Sequence, residues 1–407
     1  MGFELIFQFD KLGLFMAAVA GFVGALILVY SVGYMARYGH KIEFYGYMLL
    51  FLSAMMGLIF SANILLMYVF WEITAFCSWR LIGFYRGEKD LWCADKAFLV
   101  TFFGASLMLA GLIILYINHG TFDMAQLKGT QVSTLVFFLF MGGILSKSAQ
   151  LPLSSWLPDA GVAPTPVTAL LHAAVLVKIG VFAYCRLFCD ILTVPQQAAF
   201  WAMVIVMLSG FVAALSALID TNIKRILAYS TISQLSYIFL GFIVNTALSI
   251  AAALLYILVH SVGKAGLFLS AGVVEQSTHT KDINKLGGFL GMMPLLALGF
   301  VLSAFSIAGL PPFGGFFSKF YVVLGTAEAG HRVVAGVAML TAVITLLYLL
   351  RFFKGVFLGE CEVPAERSSP RSMISVVLVL GVVSLLIGLF AKFPLEAVNS
   401  IARGLVK

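Results

Sequence analysis

Along the chain, long apolar stretches alternate with short segments that hold Gly, Pro, Lys, Arg, Asp or Glu. The apolar runs fall at 12–35, 45–61, 62–83, 97–118, 134–149, 165–187, 200–218, 226–244, 247–274, 292–310, 333–357 and 373–390. A membrane helix takes about 20 apolar residues, so each run is read as one crossing and the pattern predicts about twelve. Only the polar Ser61 and Asn63 divide the second run from the third.

Composition narrows the class. The 407 residues are 62% hydrophobic and 11% charged, which leaves no material for a water-soluble domain. The expected fold is an all-α polytopic membrane protein set in the lipid bilayer. A net charge of +7 would suggest nucleic acid in a soluble chain, but here the basic residues sit between apolar runs and read as topology signals. No nucleic-acid partner is expected. Loops after odd-numbered runs hold Arg37, Lys41, Arg86, Lys89, Lys96, Lys224, Arg225, Lys281, Lys285, Lys354, Arg367 and Arg371. The other side holds Lys11, Lys128, Arg186, Arg332, Lys392, Arg403 and Lys407, so both termini are expected outside the cytoplasm. Glu4 and Asp10 precede the first run without a cleavage signature, so that run reads as retained. The tail 395–407 reads as a short interfacial helix at most, because its apolar face is narrow. The five cysteines form no CxxC pair, and Cys185/Cys189 is a lone CxxxC. No metal, redox centre or cofactor is expected in this chain.

Against this apolar background the ionisable residues inside runs stand out: Glu72, Lys147, His172, Lys178, His260, Lys264 and Lys319. A charge there costs about 2.5 to 3.5 kcal/mol on insertion scales, so each is a functional suspect. Arg80, Arg186, Lys224 and Arg351 lie nearer run ends and read as anchors that snorkel to headgroups. None of the seven is an arginine. Arginine holds its proton, whereas lysine and histidine release theirs when burial and nearby charge shift them, which suits a proton relay. Tyr256, His260 and Lys264 recur at four-residue spacing and share a helix face. His172 and Lys178 are six apart, about 240° of turn and roughly 9 Å of rise in a regular helix, so they are predicted to point in different directions.

Two runs are interrupted. After Lys147 come Pro152, Pro158, Pro164 and Pro166, and after Leu310 come Pro311, Pro312, Gly314 and Gly315. Proline breaks the helical ladder, and such backbone survives at membrane depth only inside protein or beside a wet cavity. Each break lies beside a Ser-Lys pair, Ser146-Lys147 and Ser318-Lys319. Runs two to six and seven to eleven can be laid against each other as five-helix units whose fourth members carry these elements, and an odd helix count per unit forces inversion. The predicted organisation is a flanking helix in 1–44, a first repeat in 45–187, an inverted second repeat in 188–358, and a last helix and tail in 359–407.

The segments Phe70-Trp-Glu72-Ile, Ser146-Lys-Ser-Ala-Gln-Leu-Pro-Leu-Ser-Ser-Trp-Leu-Pro-Asp159, Ala163-Pro-Thr-Pro-Val-Thr-Ala-Leu-Leu-His172-Ala-Ala, Asn222-Ile-Lys-Arg-Ile-Leu-Ala-Tyr-Ser-Thr231 and Gly309-Leu-Pro-Pro-Phe-Gly-Gly-Phe-Phe-Ser-Lys319 carry a family likeness. They resemble the antiporter-like membrane subunits of respiratory complex I, a family that extends to group 4 membrane-bound hydrogenases and Mrp cation/proton antiporters. The resemblance covers nearly the whole chain. It implies a fourteen-helix core, of which this chain would lack the first two helices and a C-terminal lateral helix, in a prokaryotic cytoplasmic membrane. It implies that Glu72 pairs with Lys147, that Lys178 with His172 forms a central relay, that His260 and Lys264 form the next, and that Lys319 is the exit-side residue. Tyr256 stands where a further histidine is frequent.

The mechanism this suggests is a relay from Lys147 through Lys178, His260 and Lys264 to Lys319, switched by a Glu72–Lys147 ion pair. At about 4 Å and an effective dielectric near 20 such a pair is worth roughly 4 kcal/mol, against about 2.3 kcal/mol for moving one charge through 100 mV. The chain shows no flavin, nucleotide or iron–sulfur motif, so its energy comes from elsewhere. The first reading is a proton-translocating subunit of a redox-driven oxidoreductase complex, with other membrane subunits and peripheral redox subunits as partners. The second is a subunit of a Mrp-type Na⁺/H⁺ antiporter without redox partners. The third is a membrane scaffold whose charges serve assembly.

Overall fold

The computed structural model describes residues 7–366 and 369–405; Glu4, Arg367 and Lys407, used above for topology, fall outside them. The described residues form helices joined by short loops, with isolated β-bridges but no strand. In chain order these are α1 (Lys11–Tyr34), α2 (Lys41–Phe60), α3 (Ile64–Ile82), α4 (Glu88–His119), α5 (Thr134–Lys147), α6 (Trp156–Asp159), α7 (Thr165–Ala169), α8 (Leu176–Tyr184) and α9 (Gln196–Ile219). They continue with α10 (Ile223–Val244), α11 (Ala247–Thr278), α12 (Phe289–Met292), α13 (Pro294–Ala308), α14 (Gly314–Glu328), α15 (Arg332–Phe357), α16 (Arg371–Leu389) and α17 (Lys392–Leu405).

Among the described residues ten helical segments are long and apolar enough to cross a membrane, α7 and α8 counting together with the π-helical turns around them. Two shorter apolar helices, α5 and α13, occupy the remaining predicted crossings. Both are short for one reason: each stops at a proline-bearing break and the chain resumes as a second piece. Every run read from the sequence thus has its helix.

Burial sorts the helices into two shells. The segment Thr165–Ile191 is 100% buried over its most apolar window, and α10 and α11 are each 94% buried, whereas the other candidate spans are 39–50% buried. The outer helices meet lipid on one side, and a helix apolar all round belongs in the centre. The three central segments carry His172, Lys178, His260 and Lys264. The ionisable residues therefore sit where protein, and not hydrocarbon, surrounds them.

Helix starts repeat across the two halves. Asn63 caps α3 by accepting from the Leu65 and Leu66 amides and bridges to Asp123, while Ile64 N donates to Phe122 O. Asn222 caps α10 by accepting from the Lys224 and Arg225 amides and bridges to Asp282, while Ile223 N donates to Lys281 O. The two caps lie on opposite faces of the bundle. The first sits beside the start of α1, through the Phe7–Ser61 bridge. The far end of α10 reaches that same face, where Cys189 Sγ donates to Phe242 O near the Arg186–Asp10 ion pair. We propose from these pairs that 45–187 and 188–358 are two units related by inversion.

Ser61 ends α2 in an extended conformation, which separates the two nearly continuous runs. The tail differs from the sequence reading: α17 buries Val398, Ile401, Ala402 and Leu405, packs on α11, and accepts a hydrogen bond from Lys11 Nζ at Ser400 Oγ (2.9 Å). Its narrow apolar face is filled by protein. The start of α1 and the Ser400 turn of α17 consequently lie together.

Candidate functional site

Lys147 closes α5 and is fully buried. Its Nζ donates to Trp71 O (3.2 Å) and lies 3.4 Å from Thr74 Oγ1, both on α3, and stands 5.6 Å from the centre of the Trp71 ring. Glu72, on the same helix, does not close the expected ion pair: its Oε1 is buried without a hydrogen-bond partner. Trp71 O and the indole occupy the ammonium instead, so the structure holds the pair open.

The end of α5 is pressed against α8 because Gly180 has no side chain. A Cβ there would lie 2.1 Å from Ser148 Oγ and 2.6 Å from Ile144 O. Ser148 Oγ then donates to Val177 O (3.2 Å), tying the residue after Lys147 to the one before Lys178. Lys178 Nζ lies 2.5 Å from His260 Nδ1 on α11, which joins the first half of the chain to the second.

His172 departs from the helical prediction. Leu170–Ala174 is π-helical and Val175 leaves the helix at φ −124°, ψ −77°, so the phase between His172 and Lys178 is reset. Both residues now face α11: the His172 ring lies 4.4 Å from that of Phe268, while Lys178 meets His260, about 12 Å away along that helix. Both His172 ring nitrogens are buried without a hydrogen-bond partner, as is His260 Nε2. Buried imidazoles in that condition mark a place for water or for movement.

From His260 the second half is wired by hydroxyls and an amide. The Tyr256 ring meets His260 edge-on at 6.2 Å, and Tyr256 OH donates to Gln234 Oε1. Gln234 Nε2 donates to Tyr348 OH (3.2 Å) and Thr345 Oγ1 (3.1 Å), and Tyr348 OH shares a 2.6 Å hydrogen bond with Ser230 Oγ. Lys264 Nζ closes this network on Ser230 Oγ and also donates to Leu227 O (3.2 Å). The expected stripe of Tyr256, His260 and Lys264 is therefore present, with its partners on α10 and α15. Ser230, Gln234 and Tyr348 were missed. The signal for two of them was available, since Ser230 and Gln234 are four apart in an unusually polar buried run.

Lys319, on α14, donates to Ile307 O (2.8 Å) and Ala308 O (3.3 Å) at the broken end of α13, and stands 5.1 Å from the Tyr237 ring centre and 5.9 Å from that of Tyr256. Gly315 permits this approach, because a Cβ there would fall 1.7 Å from Ser306 O. A cavity of about 380 Å³ opens beside it, lined by Tyr237, Gly309, Lys319 and Phe320 among others.

The two breaks share one backbone pattern, and it corrects the Ser-Lys equivalence. Ala149 and Gly309 both have positive φ, at 49° and 85°. Gln150 N donates to Leu145 O as Leu310 N does to Phe305 O, and Leu153 N to Gln150 O as Phe313 N does to Leu310 O. In this register Lys147 falls on Ile307, and Lys319 falls on Asp159. The two lysines lie on opposite sides of their breaks and are not counterparts.

Two supposed anchors are also corrected. Lys224 is 1% exposed and pairs with Glu275 at 2.6 Å, and Arg186 is 1% exposed and pairs with Asp10 and Asp190. Arg80 pairs with Glu43, and Arg351 donates to Leu218 O and Asp220 O. No group of three or more His, Cys, Asp or Glu among the described residues has the arrangement of a metal site.

The stretch of sequence that builds this arrangement matches a known family. The family model described as NADH:quinone oxidoreductase/Mrp antiporter, TM, matches residues 61–345. The chain belongs to the NADH:quinone oxidoreductase/Mrp antiporter family. A second model, NADH-ubiquinone oxidoreductase (complex I) chain 5 N-terminus, matches residues 1–45. Among curated relatives in this family, Na⁺/H⁺ antiporter subunit A1 of Staphylococcus aureus strains Newman and USA300 is 33% identical over 435 residues, covering 98% of this chain and 54% of the relative. The chain thus spans about half the length of the curated relatives it matches. A chain in the solved Mrp complex from Dietzia sp. DQ12-45-1b shares the fold, with a TM-score of 0.91 at 23% identity over 98% of this chain and 84% of that one. As a family member, this chain is an antiporter-like integral membrane protein.

Proposed function

We propose that the chain is a proton-conducting subunit of a Mrp-type cation/proton antiporter, passing protons through Lys147, Lys178, His260, Lys264 and Lys319 and working with other membrane subunits. The observation that carries the reading is the Lys178–His260 contact, which joins the bases of the two halves inside the most buried helices. Glu72 modulates Lys147 from α3, and His172 is the unpartnered imidazole that serves Lys178 from the other level of α11. The Lys/Arg-rich loops face the cytoplasm and both termini the opposite side, in a prokaryotic cytoplasmic membrane.

The redox-driven reading placed first from the sequence gives way to the second. The relatives that cover 98% of this chain bear the name Na⁺/H⁺ antiporter subunit, and the complex that shares its fold is a Mrp complex. Peripheral redox subunits have no support in those likenesses.

The test is reconstitution of the whole complex that contains this chain, followed by a Na⁺ gradient with lumenal pH recorded by a dye. Proton movement without an electron donor, abolished in the Lys147→Ala complex, is the expected result. Movement only when a redox couple is supplied would return the account to the first reading.

A further inference from the structure

We propose that the polar cavity at Asp159 is the port through which protons reach the relay from the Lys/Arg-rich face, with Glu275 and Lys224 as the pair that hands them inward. This rests on the relay reading above and adds the groups that feed it.

The cavity measures about 130 Å³ and is lined by Asp159, Gly161, Val162, Asn222, Arg225 and Lys281, among others. It lies among loops that follow odd-numbered crossings. Asp159 is held at its edge by Lys96 (2.7 Å) and Arg225 (2.8 Å). From the cavity wall Lys281 Nζ reaches Glu275 Oε1 at 3.1 Å. The other oxygen, Glu275 Oε2, takes Lys224 Nζ at 2.6 Å and Thr165 Oγ1 at 3.1 Å. Lys224 Nζ also donates to Ala163 O (3.1 Å), in the interrupted segment that leads into α7. Exposure falls along this line, from 29% for the Lys281 side chain to 18% for Glu275 and 1% for Lys224.

The line is aimed at the relay. Thr165 opens α7, and His172 lies on the π-helical continuation about 10 Å further along the axis, with both ring nitrogens unpartnered. The groups that face Glu275 are Lys224 from α10, Lys281 from the loop after α11, Thr165 from α7, and Tyr30 and Tyr34 from α1.

The shared break register supplies an independent argument. Asp159 occupies in the first half the place of Lys319 in the second, and each of the two lines a cavity. Inversion puts the equivalent parts of the two halves on opposite faces. A pathway needs one port per face, and this symmetry provides a pair of ionisable positions for them.

Each step conserves protons. The Lys224 ammonium gives a proton inward, through water, to the neutral imidazole of His172. The Glu275 carboxylate, paired with Lys224 and Lys281, then takes a proton from water in the cavity, which the solution on that face replenishes, and passes it to the amine that remains on Lys224. One proton has moved inward, and both groups have returned to their starting state.

The experiment uses the whole reconstituted complex with Glu275→Gln, Glu275→Asp, Lys147→Ala and Val162→Cys variants. The expected result is proton flux slowed about tenfold or more by Glu275→Gln and restored to within about twofold by Glu275→Asp. In the Val162→Cys complex an impermeant methanethiosulfonate should stop flux from the Lys/Arg-rich face and leave it unchanged from the other. This second arm does not depend on the Glu275 variants folding. Flux within about twofold of the unsubstituted complex for Glu275→Gln, or unaltered flux after labelling Val162→Cys from the Lys/Arg-rich face, overturns the port. If Lys147→Ala is inactive in that preparation, the relay reading stands without it. An active Lys147→Ala overturns the relay reading and the port with it.

Discussion

Lys178 Nζ lies 2.5 Å from His260 Nδ1, and with that contact a residue of the first half of the chain shares a hydrogen bond with a residue of the second. The lysine is the donor when charged, and the imidazole the donor when the lysine is neutral, so a proton has one short step to take between the halves. Replacing His260 by Ala should slow proton flux about 100-fold in the reconstituted complex, while the complex still assembles. Flux and assembly measured on one preparation separate a lost step from a lost fold.

Lys147 and Glu72 should differ in consequence. The Lys147 ammonium rests on Trp71 O and beside Thr74, and Glu72 makes no ion pair with it. Lys147→Ala should therefore abolish flux, whereas Glu72→Gln should leave it slower with a shifted pH profile. Recording flux across pH for both variants checks this. An unchanged profile for Glu72→Gln removes Glu72 from the switch.

Gln234 is the residue on which Tyr256, Tyr348 and Thr345 converge. Gln234→Leu leaves buried hydroxyls short of partners, at a cost of about 1–3 kcal/mol in stability. It should also slow flux, because Tyr256 and Lys264 lose the amide that links them. Thermal unfolding in detergent and flux in vesicles give the two readouts.

At the opposite face Asp10 caps α1 through the Gly13 amide and binds Arg186. Burial raises the Asp10 carboxyl, but the Arg186 guanidinium and the Gly13 amide outweigh it and hold it below its ordinary value of 3.8. A carboxyl so lowered stabilises the fold above its unfolded pKa, and that stabilisation is lost as pH falls through the folded one. Asp10→Asn should cost about 1 kcal/mol at neutral pH, since the 40% exposed Asp10 side chain is screened by water. Once the pH has fallen below the folded pKa, which lies under the ordinary 3.8, the variant and the unsubstituted chain should unfold alike.

Much of this architecture is written in hydropathy. All twelve apolar runs became helices, and the proline-rich stretches after Lys147 and Leu310 became the two breaks, because both follow from local composition. The residues of the proposed relay were visible because a charge in an apolar run is expensive. What stayed hidden depends on contacts between distant segments. Lys224 looked like a helix-end anchor because Glu275, its partner, is far along the sequence. The His172–Lys178 geometry was misjudged because a π-helical turn leaves no mark in apolar periodicity. The two Ser-Lys pairs looked equivalent by their letters, and only the hydrogen bonds at Ala149 and Gly309 show that Lys319 answers to Asp159.

The most direct measurement is proton flux through the reconstituted complex carrying Lys178→Arg. Arginine keeps the positive charge and can still hydrogen-bond to His260, but it does not release its proton. A relay through Lys178 predicts a complex that assembles and conducts no protons. Flux at the unsubstituted rate would show that position 178 needs only a fixed charge, and would contradict the account.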